Sequence, residues 1–130
     1  MPKEFARRLL VHDGQAEAGS AADGSAPFRV CEKLREPLSK LLGIDGFRSL
    51  LARAQALAGA EIPWLRQLKI QENGSLDHLT ELEPNLDRAA IAEGDVVLVG
   101  HLLGLLVVFI GPALTLGLLH DIWPEWTIDI

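Results

Sequence analysis

Val96–Leu119, VVLVGHLLGLLVVFIGPALTLGLL, is the stretch on which the reading of this chain turns: twenty-four residues with no Asp, Glu, Lys or Arg. As one helix it would be about 36 Å long, enough for a hydrocarbon core of roughly 30 Å. Its apolar residues surround the whole circumference, unlike the single stripe of a half-exposed surface helix. Trp123 and Trp126 follow where an interfacial aromatic belt would fall. Gly104, Gly111 and Gly117, with Thr115, suit close approach of a neighbouring helix.

Three features oppose a span. From Leu76 to Asp95 a single Arg (Arg88) stands against six acids, and the tail adds Asp121, Glu125 and Asp129 with no base. A cytoplasmic flank normally carries positive charge. His101 lies about one turn inside the stretch, and Pro112 breaks or kinks a helix in its middle. The soluble alternative is two shorter helices, about 88–110 and 113–122, packed in a core that an oligomer completes. On a continuous helix His101, Gly104, Val108, Gly111 and Thr115 recur at three and four residues. They form a narrow stripe of small or polar side chains, the candidate interaction surface for another helix.

Working back from this stretch, helical periodicity dominates. Residues 1–12 predict an amphipathic N-terminal helix with Phe5, Leu9 and either Ala6 or Leu10 on one face. Ten or so residues do not hold a helix alone in water, so it must dock. Residues 13–26, DGQAEAGSAADGSA, have no periodicity and no large apolar side chain, and read as a flexible linker. A helical domain over 27–122 follows, including the apolar segment 96–119, and 123–130 form a tail.

Within that domain Phe28, Cys31, Leu34, Leu38, Leu41 and Leu42 trace one apolar stripe, which Pro37 is expected to kink or split and Gly43 to end. Asp45 is the expected N-cap of the next helix, whose stripe is Phe47, Leu50, Leu51, Ala54, Leu57 and Ala58. Ile62-Pro63-Trp64-Leu65 reads as an apolar corner. Asn73-Gly74 permits a small hairpin, but the return stretch Leu76-Asp77-His78-Leu79 alternates poorly. A turn into a helix capped by Ser75, with Leu76, Leu79 and Leu82 on one face, is preferred. Asp87 is the candidate cap of the last helix. The fold class is all-α: a small helical bundle with a flexible N-terminal linker and a long, very apolar C-terminal helix kinked at Pro112.

The chemistry is sparse. A net charge of −6 argues against nucleic acid, which needs a Lys/Arg surplus, and against adsorption to anionic lipid. The lone Cys31 allows no intrachain disulfide and fits a reducing compartment; it falls on the apolar stripe as a small buried hydrophobe. Leu9-Leu10-Val11 is too short for a signal-peptide core, so the expected location is the cytoplasm, with a single-span membrane protein (N-terminus in the cytoplasm) as the alternative.

No His-x3-His or Cys-x2-Cys spacing marks a metal site. Gly43-Ile44-Asp45-Gly46 lacks the Lys and Ser/Thr of a phosphate loop. Glu93 and Asp95 read as solvated. His101 stands out as a polar residue inside an apolar run: a hydrogen-bonded core or interface histidine, with a pH-sensitive contact or an intramembrane polar site as the sharper alternatives. No catalytic residue, metal or cofactor is expected.

The pieces FARRLL (5–10), FRVCEKLREPLSKLLGIDGFRSLLARA (28–54), AEIPWL (60–65), ENGSLDHL (72–79) and LLGLLVVFIGPALTL (102–116) together resemble small uncharacterised bacterial proteins. The resemblance spans most of the chain but carries no catalytic or binding motif, so no activity or site residue follows from it. It implies that the N-terminal helix and the apolar stretch belong to one unit. Relatives of that kind carry charges near Pro112 and Gly117, which implies a soluble packed helix.

The leading functional expectation is a non-enzymatic helical interaction protein, a homo-oligomer or the binder of a helical protein partner, associating through the glycine-containing C-terminal helix. A tail-anchored membrane protein is second. A small-molecule binding protein or enzyme is third.

Overall fold

In the computed structural model, which describes residues 3–16, 29–76 and 88–124, a single helix serves as the post on which three of the other four lean. That post is α4, Arg88–Ile110. Helices α1 (Lys3–Ala16), α2 (Arg29–Leu42) and α3 (Ile44–Glu61) precede it, with a 3₁₀ turn at Pro63–Gln67; α5 (Pro112–Ile122) follows. The fold is all-α, and among the described residues there is no strand.

The amphipathic N-terminal segment docks as its pattern demands. Ala6 and Leu9 are fully buried, and α1 packs on α4. It runs to Ala16, four residues into the expected linker, whose positions 17–26 lie outside the described residues. Arg7 also reaches Glu93 at 3.1 Å, an exposed pair contributing about 0–1 kcal/mol. Burial of Leu9 contributes more, about 1.5–3 kcal/mol.

Helix α2 buries Val30, Cys31, Leu34 and Leu38 and is not split at Pro37. Proline removes the bond to the carbonyl four residues back, and its ring crowds that carbonyl. Leu34 and Leu38, fully buried on either side of it, hold the turn in place. Gly43 ends α2 as expected, but it is also the cap position of α3. Asp45 therefore sits in the first turn, where it faces Arg48 at 3.8 Å, and is not the N-cap. A glycine alone can make so abrupt a junction, because its φ of 81° and ψ of 156° fall where a side chain is strained.

The apolar corner at Ile62–Leu65 is the 3₁₀ turn. Gln55 of α3 fastens it, its Nε2 donating to the carbonyls of Leu65 (2.8 Å) and Leu68 (2.5 Å). The chain then reverses in a miniature hairpin, with Ile70 and Leu76 bridged antiparallel and Gln71 N–H donating to the Ser75 carbonyl. The preferred turn into a helix capped by Ser75 is thus corrected. Asn73 Oδ1 accepts from both the Ser75 amide (3.0 Å) and its hydroxyl (2.7 Å), so the serine is committed to the turn. Leu79, Leu82 and Asp87, invoked for later helices, lie outside the described residues.

The apolar stretch is two helices, not one. It breaks at Gly111, within a residue or two of the two-helix alternative. Gly111 repeats the Gly43 device almost degree for degree, with φ 89° and ψ 159°. Pro112 then opens α5 at the first helical position, where its missing N–H costs nothing. Val96–Val99, Leu102, Leu103 and Leu106 on α4 join Leu119 and Trp123 in the one core that α1, α2 and α3 complete.

Candidate functional site

The C-terminal end of α4 behaves unlike the rest of it. From Asp95 to Leu103 nearly every residue is buried beneath α1 and α3. Beyond Leu106 the cover ends: Val108 is 85% exposed, Phe109 67%, and Leu114, in the first turn of α5, 60%. Pro112 and Ala113 between them are exposed too. These residues lie within about one turn of Gly111 on either side, so the α4–α5 corner is an apolar projection. Single exposed hydrophobes need no explanation, but a contiguous group marks a surface meant to be covered.

The five residues of the expected stripe do not form a stripe, because the helix that would align them ends at Ile110. His101 and Gly104 are half-buried on the α4 shaft, and Val108 is on the exposed tip. Gly111 is the junction itself. Thr115 is fully buried in α5, its hydroxyl donating to the Gly111 carbonyl at 2.8 Å. The corner therefore comprises Val108 and Gly111 from the expected set together with Phe109 and Leu114, which hydropathy could not separate from their buried neighbours. The signal that would have found them is Gly-Pro at 111–112: residues flanking a helix break project beyond the packed shaft.

His101 is not a free intramembrane polar group. Its Nε2 stands 2.5 Å from Oε2 of Glu61, the last residue of α3, with both side chains about one-third exposed. The pair ties the end of α3 to the middle of α4. Glu93 and Asp95, read together as solvated, part company: Glu93 faces Arg7, whereas Asp95 is only 7% exposed. Because α4 begins at Arg88, position 95 lies two turns inside the helix and faces the core. Cys31 of α2 is buried as expected, and its thiol is pushed well above the usual range by burial, then by the negative charges of Asp95 and Glu32. A protonated, buried thiol is a poor nucleophile.

Among the described residues no group of three or more His, Cys, Asp or Glu side chains is placed to hold a metal ion. Among the described residues one helix, over Ala89–Ile110, is long and apolar enough to cross a membrane, and half of its most apolar window is buried inside the protein. Comparison with protein-family models, with curated proteins and with solved structures finds no match to this chain.

Proposed function

We propose that the protein is a non-enzymatic association module of the cytoplasm: a helical scaffold that presents the α4–α5 corner as an apolar docking surface. The carrying observation is the exposure of Val108, Phe109 and Leu114 together around Gly111. α1 and α3 serve this surface by burying the α4 shaft, and α2 packs on α3 and reaches α5. The test is sedimentation velocity over a range of concentrations, with and without detergent micelles, on the native chain and on a Val108→Ser/Phe109→Ser/Leu114→Ser variant. The native chain is expected to associate, with itself or with micelles, and the variant to sediment as a monomer in both conditions. A native chain that stays a monomer throughout would overturn the reading.

A single-span membrane protein is the second reading, favoured by the length and apolarity of Ala89–Ile110. It requires α1 and α3 to leave the α4 shaft, giving up the burial of Leu98, Leu102 and Leu103 against protein. Resistance of the membrane-bound chain to carbonate extraction would support it.

A further inference from the structure

We propose that α1 is an exchangeable arm: the face of α4 that it covers accepts the α1 of a second copy of this chain, giving a reciprocal dimer. The surface concerned is not the α4–α5 corner, and the exchange does not depend on that corner.

The first observation is where α1 is held. Among the described helices it packs on α4, and no other helix packs on it to a like extent. The remaining elements pack on one another: α3 on α4, α2 and the 3₁₀ turn, and α5 on α4 and α2. α1 is thus attached to the rest through one face. Ala6 and Leu9 are fully buried there, with Phe5 and Leu10 partly buried beside them. Arg7 adds the exposed pair with Glu93 of α4. A second copy carries the same arm and the same α4 face, so exchange reproduces these contacts and requires no new ones.

The second observation is the length and composition of the connection. Residues 17–28, EAGSAADGSAPF, separate α1 from α2, and Phe28 is their only large apolar residue. Twelve residues reach up to about 40 Å, beyond the roughly 30 Å diameter of a small domain. The covalent tie therefore does not confine α1 to its own α4.

The third is that neither partner is stable uncovered. A helix of 14 residues does not hold alone in water. An α4 shaft without its cover exposes apolar side chains. A neighbour's copy removes both penalties as well as the chain's own, so concentration decides between them. A flexible linker holds its own arm at an effective concentration on the order of 1 mM. At micromolar concentration each α1 returns to its own chain, and the exchanged dimer becomes populated as the concentration nears that value.

The experiment uses the full chain in a Cys31→Ala background. The single variants Arg7→Cys and Glu93→Cys are mixed in equal amounts, one of them isotopically labelled. A short flexible bis-maleimide then links the arm of one chain to the α4 of the other, and mass spectrometry measures the mixed product. Lys40→Cys, at an exposed site on α2, replaces Arg7→Cys to measure chance collision. None of the three sites is buried, so none of these substitutions asks the core to repack. At ~1 mM the Arg7→Cys mixture is expected to exceed the Lys40→Cys mixture by about tenfold, and at ~10 µM to match it. Leu9→Ser in both chains is expected to remove the excess, and Val108→Ser/Phe109→Ser/Leu114→Ser to leave it unchanged. Equal yields from the two mixtures at the higher concentration would overturn the exchange, whether or not the corner associates. Loss of the excess in the corner variant would also overturn it, by assigning the contact between copies to the corner. An excess that survives Leu9→Ser would overturn α1 as the exchanged arm.

Discussion

Trp64 occupies the space that a side chain at position 94 would need: a Cβ built on Gly94 would lie 2.5 Å from Cζ2 and 2.7 Å from Cη2 of the indole. The 3₁₀ turn thus packs onto the N-terminal half of α4 through the absence of one methyl group. Gly94→Ala is expected to destabilise the fold by about 1–3 kcal/mol, since a rigid ring between two packed elements has little room to retreat. Urea denaturation with a lowered midpoint at unchanged slope would bear this out, and an unchanged midpoint would refute it.

Gly43 and Gly111 make a different prediction, because nothing lies within 4 Å of a Cβ built on either. Any cost of Gly43→Ala or Gly111→Ala is therefore backbone strain, expected at about 1–3 kcal/mol for each. The two junctions share no partner, so the double variant should show the sum within roughly 0.5 kcal/mol. A cost near zero at Gly111 would mean that the break between α4 and α5 is set by Pro112 and not by the glycine.

Gln55 is the polar fastening of the 3₁₀ turn. Gln55→Leu keeps the bulk of the side chain but strands the carbonyl of Leu68 and leaves that of Leu65 with only the Leu68 amide, at an expected cost of about 1–3 kcal/mol. Hydrogen exchange separates this from a general loss of stability. Protection should fall first in Pro63–Leu68, with α1 and the α4 shaft affected only through the global equilibrium.

Cys31 supplies the pH dependence. Its thiol is held above the ordinary value near 9.0, chiefly by burial. Below that value the thiol is protonated in folded and unfolded chains alike and adds no pH dependence. Above it the unfolded chain releases a proton that the folded chain retains, so stability falls as pH rises past 9. Cys31→Ala should flatten that alkaline decline. At neutral pH the native thiol should react with a disulfide reagent only as fast as the chain opens, and rapid stoichiometric labelling would contradict its burial.

The helices were legible because their apolar positions recur at three and four residues, and most of each stripe is buried: Cys31, Leu34 and Leu38 on α2, Phe47, Leu50, Leu51, Ala54 and Ala58 on α3. Leu41 and Leu57, expected on the same stripes, are exposed. The break in the apolar stretch was legible to within a residue or two, because Gly-Pro is a local signal. What escaped was non-local. His101 and Glu61 are forty positions apart, and no spacing rule joins them. The burial of Asp95 depends on α1 and α3 covering α4, which its acidic neighbourhood conceals. Val108 and Leu106 carry similar hydropathy, yet one is exposed and the other buried; the distinction lies in which helices arrive above them, and one-dimensional periodicity holds no record of that.

A hydropathy window counts residues along the chain, whereas a bilayer measures ångströms along an axis. The junction at Gly111 makes those two measures disagree. The charge-free part of α4, Val96–Ile110, rises only about 22 Å, and the remaining apolar residues leave that axis in α5 instead of extending it. The straight charge-free part of the stretch is thereby shorter than the run of residues that composition marks out. One glycine at positive φ turns a single apolar run into two helix axes that meet at a blunt apolar point.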